Sequence, residues 1–364
     1  MENNTGKNQL QKKELSKELL KESSSKYELP DNLLKKITEI RQYLHKNPEL
    51  SGEEYETTEF IKKFLTEYDI KILPFDLKTG VIAEIGEGEK IVALRADIDA
   101  LPINEMTDYP YKSQNPGVMH ACGHDFHTAS LLGAAVVLKQ KEKELKGRVR
   151  LIFQPAEEIN AGAKEVIKSG VLKGVSAIAG FHNKPDLPLG TIGIKSGPLM
   201  AAVDRFEVKI NGTGTHAAAP QNGNDPIVTA SQIVTSIQSI VSRYVSPVDM
   251  AIISVTKISG GNTWNVIPES VIMEGTMRTF KESVQERIKK LFVQVIKNYT
   301  EAFDQKYEIL WGDAHSFVDN DKILAEAIGK EASIFADVKV PEITTGGEDF
   351  SFYQKEVPGL FAFI

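Results

Sequence analysis

Three histidines, the single cysteine of the chain and an aspartate fall within the short segment His120–His127. With seven histidines in 364 residues, fewer than one would be expected in a window of this length. Thiolate and imidazole are common ligands of zinc and similar metals, and Gly123 would let the backbone turn so that Cys122 and His124 face one point at the start of a helix. A buried thiol beside helix-capping histidines gives the same pattern, so this segment alone leaves metal binding and simple packing both open.

Two adjacent carboxylates, Glu157 and Glu158, follow the apolar run Val149–Phe153 after a short gap. Such a run is typical of a buried strand, and the carboxyl end of a strand is where ligands bind in open α/β sheets. Neighbouring glutamates also occur in solvated loops, and taken alone this pair favours the loop.

Two further polar segments follow apolar runs. His182 comes directly after Ala177–Phe181, and Asp97 and Asp99 come after Ile91–Leu94. A single histidine at a strand end more often makes a hydrogen bond within the protein than binds a metal, and one aspartate could cap the next element. Neither segment is therefore decisive by itself.

All four segments fall at the same edge of one predicted sheet, and together they carry a complete set of metal ligands. The candidate ligands, which combine soft and hard donors for one or two divalent cations, are Cys122, His124, Glu158 and His182. Glu157 would remain to take a proton from a water molecule that the metal polarises. The residues alone therefore favour a metal-dependent hydrolase.

The order of the predicted elements indicates an α/β sheet with a smaller domain inserted into it. A first helix is expected from residue 31 or 32 to about residue 47. Strands are then predicted at 80–85, 91–94, 149–153 and 177–181, and helices at 54–68, 127–141 and 161–169. A β-α-β-β-α set follows, with strands at 203–210, 251–258 and 271–280 and helices at 226–245 and 283–303. A helix at 322–335 and a strand at 359–364 return to the first sheet.

The chain is long enough for two domains with their own cores, and 41% hydrophobic and 26% charged residues are ordinary for a globular protein. The formal net charge of −7 argues against a basic surface for nucleic acid. A single cysteine excludes an internal disulfide and favours a reducing cytoplasm. Residues 1–30 are polar, without an apolar run for a signal peptide or a membrane span, and are predicted to be a disordered extension.

Eight strings occur in an order that resembles the aminoacylase-like metallo-amidohydrolases: RADIDALP, MHACGHDFHTA, FQPAEE, GFHN, GTGTHAAAP, NVIPE, GTMRTF and GGEDF. This family includes hippurate hydrolases, plant hydrolases of indole-acetyl amino acids and bacterial N-acetyl-amino-acid deacetylases. The resemblance runs from about Ile37 to Ile364 and is greatest to a bacterial branch that acts on N-acetylcysteine-type compounds. It implies a zinc-peptidase-like α/β catalytic domain at 31–198 and 313–364, with a central sheet flanked by helices, and an inserted ferredoxin-like α+β lid domain at 199–312.

The resemblance also implies a role for each matching residue of the catalytic domain. Two divalent metal ions per subunit, of zinc, manganese, cobalt or nickel, would be bound by Cys122, His124, Glu158 and His182. Glu157 matches the general base of the family, and Asp99 matches an acidic residue that orients the metal site.

Three residues of the predicted lid domain match residues that handle the substrate. His216 matches a histidine that reaches the scissile carbonyl, while Asn265 and Arg278 match positions that hold the amide or the carboxylate of the substrate. The lid domain of this family commonly dimerises, so the resemblance also implies a homodimer through residues 199–312.

One ligand that the resemblance implies has no counterpart. Members of the family carry a further ligand histidine after the final strand, and this sequence ends at Ile364 before that segment. The seven histidines of the chain all lie elsewhere: His45, His120, His124, His127, His182, His216 and His315. We therefore expect a chain truncated at its C-terminal end, with weak binding of the second metal ion.

The sequence thus predicts a metal-dependent amidohydrolase that removes an acyl group, in the first place acetyl, from a small-molecule N-acyl amino acid. The nearest alternatives are a metallo-dipeptidase or carboxypeptidase, or a truncated form with impaired activity. Two other classes stay open, namely a thiol hydrolase with Cys122 as its nucleophile and a metal-poor binding protein. Neither a nucleic acid nor a membrane is expected as a partner.

Overall fold

The computed structural model describes residues 31–364, so the extension predicted at 1–30 lies outside the described residues. In chain order, the α-helices of this part are α1 (Asp31–Lys46), α2 (Tyr55–Glu67), α3 (His124–Gln140), α4 (Gly162–Lys168), α5 (Pro226–Tyr244), α6 (Glu282–Ala302), α7 (Lys322–Ala332) and α8 (Phe350–Glu356). Among the helices of residues 31–364, none is both long enough and apolar enough to cross a bilayer.

The strands of the same part are, in chain order, β1 (Lys71–Ile72), β2 (Val81–Ile85), β3 (Ile91–Asp97), β4 (Arg148–Gln154), β5 (Val175–His182), β6 (Thr191–Gly193), β7 (Gly197–Met200), β8 (Ala202–Asn211), β9 (Thr215–His216), β10 (Ala251–Gly260), β11 (Val266–Ile267), β12 (Ser270–Thr279), β13 (Lys306–Trp311), β14 (Val318–Asn320), β15 (Asp337–Lys339) and β16 (Gly359–Phe363).

The chain divides into two compact units, and the first is built on an eight-stranded sheet. Of the described residues, this first unit holds 31–197, 319–342 and 352–364. Its strand order is β1-β2-β4-β3-β5-β16-β6-β15, and the neighbours β4, β3, β5 and β16 run parallel. Parallel strands end at the same edge of a sheet, so the residues that follow β3, β4 and β5 come together there.

Helices cover the large sheet, and its central strands are accordingly rich in buried apolar residues. Every residue of β2 and of β16 is buried. On α1, Leu33, Ile40 and Leu44 recur at helical spacing and are buried in the core beneath α3. The two helices approach so closely that a Cβ atom added to Gly133 of α3 would lie 2.4 Å from the Ile37 side chain. This packing fixes the position of α3 and hence of its first turn.

The second unit, residues 198–318 and 343–351, contains a β-α-β-β-α-β arrangement. Its four-stranded antiparallel sheet has the order β10-β12-β8-β13, with α5 and α6 packed on it over a core that includes Phe206 and Phe292. Strands β9 and β11 form a separate two-stranded ribbon. The order and directions of the four strands are those of the ferredoxin-like fold, as the resemblance implies.

The predicted fold class, an α/β layered domain with a ferredoxin-like α+β insertion, is confirmed. Two helix limits were wrong, since α3 begins at His124 rather than His127 and α7 ends at Ala332 rather than at residue 335. Strand β13 at Lys306–Trp311 was not predicted from the residue pattern. The domain limits 31–198, 313–364 and 199–312 stay a prediction; in the structure, residues 313–318 and 343–351 cluster with the second unit.

Candidate metal centre

Four potential ligands meet in the first unit where β4 and β5 end and α3 begins. One ligand atom each from Cys122, His124 and His182 lies within 4.8 Å of the other two. The same holds for His124, Glu157 and Glu158. Because His124 belongs to both groups, the structure brings together all four predicted ligands and the predicted general base.

The backbone at Gly123 makes it feasible for Cys122 and His124 to point into one site. Gly123 precedes α3 with a φ of 86°, in the left-handed region that favours glycine. A Cβ atom at this position would also lie 2.4 Å from the Asn183 side-chain oxygen. The turn therefore places the cysteine loop directly against the residue that follows His182.

Hydrogen bonds orient both candidate histidine ligands. The Nδ1 atom of His124 lies 3.2 Å from Asp99 Oδ1, and Nδ1 of His182 lies 2.7 Å from the carbonyl oxygen of Asn183. Since a carbonyl oxygen only accepts, Nδ1 of His182 is the donor, and Nε2 is left as its ligand atom. Acceptors behind imidazole ligands are a regular feature of metal sites. Asp99 thus lies where the sequence prediction places it, behind a ligand.

The loop with Glu157 and Glu158 is held by a residue that the sequence analysis missed. Ala156 has a φ of 52°, which is unusual for a residue with a side chain. Its N–H donates to the fully buried carboxylate of Glu54 at 2.8 Å, and the N–H of Glu158 donates to Asp99 at 3.0 Å. These two bonds fix the turn that directs both glutamates. Glu54 directly precedes α2 and gives no sequence signal of this long-range contact.

Burial and the acidic groups of the site raise the pKa values of its potential ligands. Burial, together with the hydrogen bond and charge of Glu158, raises the pKa of the Cys122 thiol. Burial also raises the pKa of Glu158. Burial alone would lower the pKa of His124, but the charge of Asp97 and the hydrogen bond to Asp99 raise it well above its usual value. A bound cation would relieve this crowding of negative charge.

The donors fit a divalent transition metal. The Oε1 atom of Glu158 is buried and accepts no hydrogen bond from the described residues, although it lies 3.8 Å from His124 Nε2. A buried carboxylate oxygen without a partner is costly unless another group binds it. A thiol, two oriented imidazoles and carboxylates form a ligand set that suits zinc and related metals.

The three predicted substrate residues of the second unit do not lie together. His216 is on β9 and Asn265 directly precedes β11, and the N–H of Ala217 donates to the Asn265 carbonyl at 2.9 Å. Arg278 is near the far end of β12, where its Nε donates to the Thr345 carbonyl at 3.1 Å. The ribbon joins β12 at its opposite end, and the eight residue steps from Ser270 to Arg278 span about 26 Å along the strand at roughly 3.3 Å per residue.

Comparison with known proteins identifies the family. Residues 93–364 match the model of peptidase family M20/M25/M40. An N-acetyl-L-cysteine deacetylase of Bacillus subtilis (strain 168) is 52% identical over 349 residues, which cover 95% of this chain and 83% of the relative. An IAA-amino acid hydrolase of Arabidopsis thaliana, ILR1-like 4, is 42% identical over 338 residues, covering 89% of this chain and 76% of the relative.

A solved structure agrees with this assignment. A Bacillus subtilis protein described as a dinuclear metal binding peptidase from the M20 family superposes with a TM-score of 0.83. It is 45% identical in sequence, and the match covers 92% of this chain and 89% of that one. The resemblance drawn from the eight strings is therefore confirmed, and the chain belongs to peptidase family M20/M25/M40 as a metal-dependent amidohydrolase.

Proposed function

We propose that this protein removes the acyl group, in the first place acetyl, from an N-acyl amino acid with the help of two divalent metal ions. The observation that carries the proposal is the convergence of Cys122, His124, Glu158 and His182 beside Glu157. The names of the deacetylase and hydrolase relatives support the substrate class, and the dinuclear relative supports the number of ions. We propose the cytoplasm as the place of action, since Cys122 must stay reduced.

The metal ions would be held by the thiol, the two imidazoles and Glu158, and when bound they would polarise the amide carbonyl and the attacking water. Glu157 would take the proton of that water and pass it to the departing amine, so one carboxylate serves as base and then as acid. His216 would donate to the oxyanion that develops on the amide. Arg278 would pair with the substrate carboxylate through its planar guanidinium.

The donor types limit the metal to a few divalent ions. The thiolate of Cys122 favours zinc, cobalt or nickel, whereas the carboxylates also accept manganese. The alternative in which Cys122 is a nucleophile is disfavoured, because a reactive cysteine needs a lowered thiol pKa and that of Cys122 is raised.

A substrate panel run against several metals tests the proposed function. Treatment with a strong chelator should remove the metal and abolish hydrolysis. Addition of zinc, cobalt, nickel or manganese should then restore it. N-acetyl amino acids should give the highest kcat/KM, compared with N-benzoyl amino acids and dipeptides. Preference for dipeptides would instead establish the peptidase alternative. Activity that resists the chelator but is lost on thiol alkylation would overturn the metal mechanism.

We also propose a homodimer formed through the second unit. Strand β10 is an edge of the four-stranded sheet, with Met250, Ile252 and Ile258 exposed beside or on it. An exposed edge strand can pair with its own copy about a two-fold axis. Ile252 pairs with Arg278 at one end of β10, and Gly260 pairs with Val271 near the other.

Such a pairing would unite the separated substrate residues. In an antiparallel pair of β10 strands, the Ile252 end of one chain faces the Gly260 end of the other. Arg278 would then approach His216 of the partner subunit and Asn265 of the partner subunit. The placement of Arg278 and of the ribbon at opposite ends of β12, about 26 Å apart along the strand, supports this arrangement.

Charges on this edge should separate the subunits. We expect the double variant Ile252→Asp/Ile258→Asp to weaken dimerisation more than about 100-fold, because it buries unpaired charges at the interface. Sedimentation equilibrium of the full chain measures this constant, with kcat/KM measured in parallel. The matched control is Leu310→Asp on β13, the other edge strand, which should leave the dimer intact. A monomeric wild-type protein, or dissociation only in the control, would refute the arrangement.

A further inference from the structure

Asp97 lies at the end of β3 and has no contact with solvent. Its Oδ2 accepts a hydrogen bond from Arg95 Nη1 at 2.6 Å, and its Oδ1 lies 2.5 Å from Nδ1 of His127. Asp97, His124 and His127 also bring ligand atoms within 4.8 Å of one another, so this group is itself a candidate for metal binding. The hydrogen bonds of His127 decide whether this group binds a metal or instead joins segments of the protein.

Both ring nitrogens of His127 are engaged by the protein. The backbone N–H of Asn183 lies 3.0 Å from Nε2 of His127 and can only donate, so Nε2 is an acceptor. The ring proton is therefore on Nδ1, where it is donated to Asp97. With no nitrogen left for a cation, His127 spans two segments of the protein instead of binding the metal.

The same chain of hydrogen bonds reaches the glutamate loop. Arg95 Nε donates to Gln154 Oε1 at 2.8 Å, and the Tyr353 hydroxyl donates to the same oxygen at 3.0 Å. Gln154 is the last residue of β4 and precedes the loop with Glu157. All of these groups are buried.

We propose that His127 is a positioning residue that, through Asp97, holds the three ligand-bearing segments in register for metal binding. It belongs to α3, whose start carries His124, and it binds the residue after His182, while Asp97 connects to Gln154 through Arg95. Such a buried, fully hydrogen-bonded network places the donors before the ion arrives, so less ordering opposes binding. The inference rests on the proposed metal-binding role of Cys122, His124 and His182.

Substitutions that keep only one of the two bonds test the proposal. His127→Asn places an amide nitrogen near the position of Nδ1 and loses the bond to Asn183. His127→Gln places an oxygen near the position of Nε2 and keeps an acceptor for that N–H. We expect Co²⁺ affinity, measured by competition with a chelator, to fall about 10- to 100-fold in His127→Asn. His127→Gln, which keeps the bond to Asn183 but breaks the one to Asp97, should lose affinity to a similar extent.

Thr128→Val is the matched control. Thr128 is a buried neighbour on α3 whose hydroxyl donates to the Asp97 carbonyl at 2.9 Å, but it makes no bond to Asn183. Thr128→Val should lower the denaturation midpoint of the metal-free protein and leave Co²⁺ affinity within about threefold of wild type, because both hydrogen bonds of the His127 ring stay in place. Equal loss of affinity in Thr128→Val and His127→Asn would mean that general packing of α3 is responsible, which contradicts the proposal.

The visible absorption of bound Co²⁺ separates failure of this inference from failure of the proposed function. The wild-type spectrum should show a thiolate-to-cobalt band, and His127→Asn should shift it because the ligand geometry changes. Wild-type affinity and an unchanged band in His127→Asn would overturn the positioning role alone. A wild-type protein without the thiolate band would overturn the metal site itself.

Discussion

Replacing Glu157 by glutamine is expected to lower kcat by about 10²- to 10⁴-fold, the usual contribution of a general acid–base group. The amide keeps the shape of the side chain but cannot take a proton from water. Since the proposed ligands are other residues, the metal content of Glu157→Gln should be nearly that of wild type. Steady-state kinetics on an N-acetyl amino acid, together with elemental analysis of the same sample, measure both quantities.

The control for this variant is Glu165→Gln, the same chemical change at an exposed position of α4. It should leave kcat and metal content unchanged. If Glu157→Gln turned over substrate at the wild-type rate, the base would have to be another group. If Glu157→Gln instead lost its metal, Glu157 would be a ligand. This alternative is open to test because a carboxylate oxygen of Glu157 lies within 4.8 Å of ligand atoms of His124 and Glu158.

Removal of the thiol should have the second large effect. We expect Cys122→Ala to weaken zinc binding by more than about 100-fold, because loss of a partner behind a ligand already costs 10- to 100-fold. Metal per chain after dialysis against buffered zinc measures the loss. Ser130→Ala, on α3 and outside the loop that carries Cys122, is the control. Full occupancy in Cys122→Ala would remove the thiolate from the ligand set.

The same variant should change the pH dependence of binding. Because the pKa of the Cys122 thiol is raised, the metal-free site holds this proton at neutral pH and metal binding must displace it. Zinc affinity of the wild-type protein should therefore rise with pH, by about tenfold per pH unit for each proton released. Calorimetry in buffers of different ionisation enthalpy should count about one proton fewer for Cys122→Ala.

Much of the fold is predictable because the large sheet is buried on both faces. The runs at β2, β4 and β16 are mostly apolar and almost entirely buried, which makes them recognisable as strands although Glu84 and Arg150 interrupt two of them. Strand β13 was not predicted, although its first residues alternate between charged and apolar types as half-buried strands do, because it is a short and largely exposed edge strand. The start of α3 was predicted three residues too late because Gly123, which precedes the helix, offers no capping side chain.

The proximity of the candidate ligands was predictable because their types are chemically distinctive and each follows a recognisable strand or lies at the start of a helix. The groups behind them were not, since their contacts join distant parts of the chain. Glu54 binds the N–H of Ala156, 102 residues later, and no periodicity indicates that pair. The strings likewise assign His216, Asn265 and Arg278 to one substrate, whereas the strand register puts Arg278 at the end of β12 opposite to the ribbon that carries the other two.

The position of β16 has a consequence for the order of folding during synthesis. This strand pairs in parallel with β5, which carries His182, yet it lies at residues 359–363, near the other end of the described chain. The four-stranded sheet of the second unit, by contrast, is contiguous from residue 202 to 311. During synthesis, all four strands of the second unit therefore leave the ribosome before β16, which the large sheet needs beside β5. The second unit can therefore fold while the sheet of the first unit is still incomplete.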